Sequence, residues 1–97
     1  MDHLDDATLI ARGRYATLSS ERRALMKSLQ GDAEALANYA RRILRSAETD
    51  TDFVLEEIEH AAVRISDART RIKRMAVLNA QRDELRPAAW GTTKETE

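Results

Sequence analysis

Three isoleucines, Ile58, Ile65 and Ile72, recur at intervals of seven, and Asn79 continues the series in step. Val54, Ala61, Ala68 and Met75 interleave with them, so these residues fall alternately four and three apart. On a helix of about 3.6 residues per turn, such positions line one stripe, and a stripe of this period is buried against another helix. The chain is thereby constrained to packed helices. The pattern carries no chemistry of its own.

A second stripe precedes the first. Tyr15, Leu29, Leu36 and Ile43 share one heptad position, with Arg22 in the remaining slot, and Ala11, Leu18, Leu25 and Tyr39 share its neighbour, completed by Asp32 and Ser46. Gly13 and Gly31 each cost about 1 kcal/mol relative to alanine inside a helix, and Gly31-Asp32 also reads as a helix end followed by a new cap. The stripe keeps its phase across Gly31, so the expectation is one helix from about residue 5 to 46, possible bending at Gly31 included. A three-helix arrangement broken at Gly31 is the alternative.

The segment AETDTD, residues 47–52, has no apolar residue after Ala47 and offers Thr49, Asp50, Thr51 and Asp52 as N-caps. It predicts a turn over 47–51 and a second helix from about 52 to 86. That helix is expected to stop before Pro87, which disfavours helical geometry at the preceding residue, leaving 88–97 as a frayed tail. Sixteen alanines and only four aromatic residues suit closely approaching helices rather than a thick core. The fold class read from the sequence is all-α: an antiparallel hairpin of two long helices forming one helical domain over residues 1–97.

Folding about Glu48–Thr49 sets Ile43 beside Val54, Tyr39 beside Ile58, Leu36 beside Ala61, Leu25 beside Ile72 and Tyr15 beside Arg82. It also sets Asp32 beside Ile65, from where Asp32 is expected to reach Arg64 or Arg69. This seam is apolar near the turn and polar toward the chain ends. Polar seam residues commonly fix register. The polar end, made of Arg22, Asn79, Tyr15, Arg82, Arg86 and Trp90, is also a candidate surface for a protein partner.

Met26, Ala33, Ala37, Ala40, Leu44 and Ala47 form a further stripe on the first helix, with Leu55 and Ala62 on a matching flank of the second. A two-helix hairpin has nothing to cover it, and a chain of 97 residues buries a small share of its surface. A second copy is the expected partner, giving a homodimeric four-helix bundle.

Catalytic constellations do not emerge. Cysteine is absent, no serine–histidine–acid spacing is recoverable, and the three glycines are isolated rather than grouped as a phosphate loop. The expectation is a non-enzymatic interaction, scaffold or accessory module without a cofactor. Sixteen basic against seventeen acidic residues leave a net charge of −1, which does not suit a protein built to coat nucleic acid or an anionic membrane. The charge is nonetheless segregated: Glu48–Glu59 holds six acids and no base, whereas Arg64–Arg74 holds five bases against Asp67. With Arg41, Arg42 and Arg45, such patches support a nucleic-acid accessory role as an alternative, although no helix-turn-helix spacing accompanies them. No membrane-spanning run or signal-like N-terminus is present, and the expected compartment is the cytoplasm.

One motif bears on metals. Glu57-Ile58-Glu59-His60 places a glutamate and a histidine one turn apart, and the stretch Glu56–Ala62 (EEIEHAA) resembles the motif of ferritin-like carboxylate proteins, including short hairpins whose sites form between subunits. That resemblance implies metal binding at Glu57 and His60, with Glu34 the nearest further carboxylate. The stripe's phase opposes it, turning Glu57 to a flank and His60 outward, opposite Ala40 and Ala37. An acidic first turn also suits the helix dipole without a metal. The expectation is therefore no metal site, with the ferritin-like hairpin as the alternative.

Overall fold

The protein, described over residues 5–91 in a computed structural model, consists of two antiparallel helices, α1 (Asp6–Ser46) and α2 (Thr51–Trp90). Aspartates start both. Asp5 Oδ1 accepts the Thr8 N–H at 2.8 Å, and Asp50 Oδ1 accepts the Phe53 N–H at 3.0 Å, each satisfying a backbone donor that the first turn leaves free. The Ser46 carbonyl accepts the N–H groups of Thr49 and Asp50, closing α1 into the turn. α1 runs unbroken through Gly13 and Gly31, neither of which adopts a left-handed backbone, so no new cap forms at Asp32.

The expected stop before Pro87 is corrected: α2 passes through Pro87 and ends at Trp90. Proline inside a helix removes a hydrogen bond and crowds the carbonyl four residues earlier, at a cost of about 3 kcal/mol. Long-range contacts offset it here. Ala89 is buried, its carbonyl accepts the Arg12 Nε–H at 2.7 Å, and the Trp90 ring meets Tyr15 edge-on at 4.8 Å. Gly91, at φ 83°, then donates its N–H to the Pro87 carbonyl at 2.8 Å and closes the helix in the left-handed conformation that glycine adopts without strain. Of the expected tail 88–97, residues 92–97 lie outside the described residues.

Contacts within the chain group into two units, Leu25–Lys73 around the turn and Met1–Ala24 with Arg74–Glu97 at the chain ends. In the turn unit, Leu25, Leu29, Asp32, Leu36, Tyr39, Ile43 and Ser46 of α1 turn inward, as their spacing predicts. Their partners on α2 are Val54, Glu57, Ala61, Arg64, Ala68 and Arg71. In the end unit, Ala11, Tyr15, Leu18 and Arg22 turn toward Met75, Leu78, Arg82, Leu85 and Ala89, with Leu78 at 0% exposure.

The α2 seam differs from the expected one by a single residue in one of its two series. Val54, Ala61, Ala68 and Met75 are in it; Ile58, Ile65 and Ile72 are not, and remain 47%, 54% and 58% exposed. Asp32 explains the choice. Beside Ile65 an ionised Asp32 carboxylate would meet an apolar seam and reach at most an arginine at its edge, and a buried charge with incomplete pairing costs several kcal/mol. With α2 turned to bring in the residue before each isoleucine, Arg64 Nε and Arg71 Nη1 reach the two Asp32 oxygens at 2.7 and 2.6 Å. Charge pairing at one seam residue thus outweighs the apolar content of the isoleucine row.

Candidate functional site: an uncovered apolar face

Met26, Ala33, Ala40 and Ala47 each follow a seam residue of α1, and Ile58, Ile65 and Ile72 each follow the equivalent seam residue of α2. An antiparallel helix pair has an approximate two-fold axis normal to its plane, so equivalent positions on the two helices emerge on the same side. The two rows therefore share one face of the turn unit. Ala37 and Leu44 on α1, with Leu55 and Ala62 on α2, continue it outward, and all eleven residues are exposed.

The opposite side of this unit is polar. Arg42 Nε donates to Glu57 Oε1 at 2.5 Å, and its guanidinium lies 4.8 Å from the Tyr39 ring centre. His60 Nδ1 sits 3.5 Å from Glu57 Oε2, and its ring is 6.3 Å from that of Tyr39. Hydrogen bonding from Arg42 holds the Glu57 carboxyl below its ordinary pKa, against the upward push of burial. At Asp32 burial pushes upward, but hydrogen bonds from Arg71 and Arg64, with their charge, hold the carboxyl below its ordinary value. Both carboxylates are thus occupied by arginine. One side of the unit is closed by charge and the other is open and largely apolar, with exposed Gln30 and Arg69 the polar positions on it.

No protein-family model, curated protein or solved structure matches the chain.

The sequence-predicted interface residues Met26, Ala33, Ala37, Ala40, Leu44, Ala47, Leu55 and Ala62 lie on the open face. The isoleucine row joins them there, a placement that the periodicity alone misassigned. The signal that reveals it is Asp32: a carboxylate in the α1 seam requires the α2 phase that presents Arg64 and Arg71.

The motif at Glu57 is arranged differently from its expected placement. Glu57 is buried in the seam rather than set on a flank, and its carboxylate is shared between Arg42 and His60. Among the described residues, no group of three or more histidine, cysteine, aspartate and glutamate side chains is arranged to hold a metal ion. Several arginines of the expected basic patches are likewise engaged: Arg42 with Glu57, Arg64 and Arg71 with Asp32, and Arg74 with Glu21 at 2.8 Å.

The polar residues of the end unit converge on Tyr15. Its hydroxyl accepts from Arg82 Nη2 at 2.9 Å and from Arg86 Nη2 at 3.2 Å, and both guanidiniums also stand over its ring, 4.8 and 6.0 Å from the centre. Hydrogen bonding from Arg86 and then Arg82 lowers the Tyr15 pKa from its ordinary value. Trp90 lies between Tyr15, which it meets edge-on, and Arg12, whose guanidinium is 5.4 Å from the indole ring centre. Asn79, expected in the seam, is exposed at its edge, where its Oδ1 accepts from Arg22 Nε at 2.9 Å; Leu78 takes the buried position. An open groove of about 670 Å³ in the same unit is lined by Ile10, Gly13, Leu18 and Leu85, with Arg14 and Glu84 also on its wall. These contacts tie the side chains of the two helices into one polar and aromatic cluster. No helix among the described residues is long and apolar enough to cross a membrane.

Proposed function

We propose that this protein is a non-enzymatic helical module that acts as a homodimer, its apolar face covered by the same face of a second copy in a four-helix bundle. The observation that carries this reading is the exposed row Ile58, Ile65 and Ile72 beside the alanine row of α1. Contiguous apolar surface of this kind marks an interaction site in a water-soluble protein. A two-fold partner meets the requirement economically, because each copy presents the same bulky row and the same shallow row. The dimer then serves as a scaffold for other proteins, with the Tyr15–Arg82–Arg86–Trp90 cluster as the surface offered to them.

Replacing Ile65 or Ala37 by glutamate tests the reading. Both positions are exposed, so circular dichroism should retain its helical signal while the mass in solution shifts toward the single chain. Variants that associate as strongly as the wild type would remove the face from consideration.

A further inference from the structure

Arginine is used differently in the two units. In the turn unit, Arg42, Arg64 and Arg71 donate to carboxylates. In the end unit, Arg12 donates to the Ala89 carbonyl, Arg22 to the Asn79 amide oxygen, and Arg82 and Arg86 to the Tyr15 hydroxyl, all of them neutral acceptors. Arg82 Nε is buried and has no acceptor among the described residues. The one described carboxylate in an ion pair with any of these four is Asp83, 3.8 Å from Arg86 Nη1.

The other charges of the end unit leave the four uncompensated. Glu21 is held by Arg74, Asp5 caps α1 through Thr8, and Glu84 shares the groove wall with Arg14. Asp6 opens α1 without an ion pair, and exposed Arg23 adds a further positive charge beside Arg22. Asp2, Glu95 and Glu97 lie outside the described residues.

Guanidiniums gathered on neutral acceptors repel one another, and cation–π contacts with Tyr15 and Trp90 offset only part of that. A bound anion would offset the rest. The same contacts hold the guanidiniums in place beforehand, which leaves less ordering to be done on binding. Their spare N–H groups suit the paired oxygens of a carboxylate. A second anchor lies along α1, where Arg22 follows Tyr15 by seven residues, about 10 Å at about 1.5 Å per residue. Two anionic groups that far apart belong to a chain rather than to a small anion. A nucleic acid fits less well: the indole is engaged by Arg12 and Tyr15 instead of being offered to a base, and Asp83 interrupts the track of a phosphate backbone.

We propose that the end unit binds an acidic peptide segment of a partner protein, one carboxylate held among Arg12, Arg82 and Arg86 and another at Arg22 and Arg23. This rests on the scaffold reading above and names the chemistry of what the scaffold holds. It lies wholly within the unit of the chain ends.

The probe is an oligoglutamate peptide of about ten residues, long enough to span both anchors. Calorimetry reads its affinity, and emission from Trp90, the single tryptophan of the chain, reads its location. One peptide should bind per chain and shift that emission. Arg82→Gln should weaken binding about tenfold, and exposed Arg86→Gln and Arg23→Gln about two- to fivefold each. Arg41→Gln and Arg45→Gln, exposed in the turn unit, should leave it unchanged. No binding, equal weakening by Arg41→Gln, or tighter binding of an oligothymidylate of the same charge overturns the proposal. So does binding seen only after Glu95→Gln and Glu97→Gln, which would make the chain's own residues 92–97 the occupant. Sedimentation equilibrium without peptide reads the dimer separately: a monomer that binds the peptide removes the dimer and leaves this site standing.

Discussion

Arg64 donates from Nε to Asp32 Oδ1 at 2.7 Å, while Arg71 takes the other carboxylate oxygen at 2.6 Å. Because Asp32 is buried in the α1 seam, the face of α2 that meets α1 has to supply those guanidiniums. The isoleucine row is left outside as a consequence. Replacing Asp32 by asparagine should lower the thermal midpoint at pH 7 by several degrees, since Arg64 and Arg71 stay partly buried without a counter-charge. Leucine at both arginine positions in the Asp32→Asn background should recover much of the loss. A melting curve for Asp32→Asn that overlays the wild type would show that charge does not select the seam.

Acid should weaken the fold through the same groups. Asp32, Glu57 and Glu21 all have folded pKa values below their ordinary 3.8 for aspartate and 4.5 for glutamate. A carboxyl with a depressed folded pKa contributes stability above its unfolded pKa and loses it as pH falls through the folded one. Urea midpoints should therefore be level through neutrality and begin to fall near pH 4.5, declining further below 3.8. The decline should be shallower in Glu21→Gln. A midpoint that rises on acidification would contradict the assigned pairs.

Leu78 and Asn79 separate the two possible phases of α2 at the chain ends. Leu78 is fully buried, so Leu78→Ala should cost about 2–5 kcal/mol. Asn79 is exposed and gives up one hydrogen bond with Arg22, so Asn79→Ala should cost about 1 kcal/mol or less. Chemical denaturation of the two variants checks the order, and a reversed order would return Asn79 to the seam.

Much of the fold was legible in the sequence because α1 has a single consistent stripe: every α1 seam position, from Ala11 to Ser46, follows from its spacing. The turn was equally legible, because AETDTD has capping residues and no apolar anchor. α2 was harder, since it carries two stripes one residue apart. Periodicity favours the more apolar one, and only a pairing argument between helices, Asp32 with Arg64 and Arg71, selects the other. The open face was half legible. Its α1 row is a stripe without a partner in the sequence, whereas its isoleucines have the spacing of core, and only the pairing of Asp32 sets them outside. The end of α2 was illegible for a similar reason, because local proline geometry says stop and only the distant contacts of Arg12 and Tyr15 say continue.

Pro87 supplies a direct check on that end. With Ala89 and Trp90 held by α1, Pro87→Ala should keep the same last turn, restore a backbone donor and raise stability by up to about 3 kcal/mol. Trp90 fluorescence should melt together with the helical signal in both proteins. An early loss of the Trp90 signal, before the helices melt, would mean that residues 87–90 are not packed as part of α2.

The central claim is that a second copy covers the apolar face, and the mass of the wild-type chain in solution tests it most directly. Sedimentation equilibrium at tens of micromolar protein should give about 22 kDa, twice the 11.0 kDa of one chain, with dissociation on dilution. A mass that stays at 11.0 kDa across that range would leave Ile58, Ile65 and Ile72 in water and contradict the account.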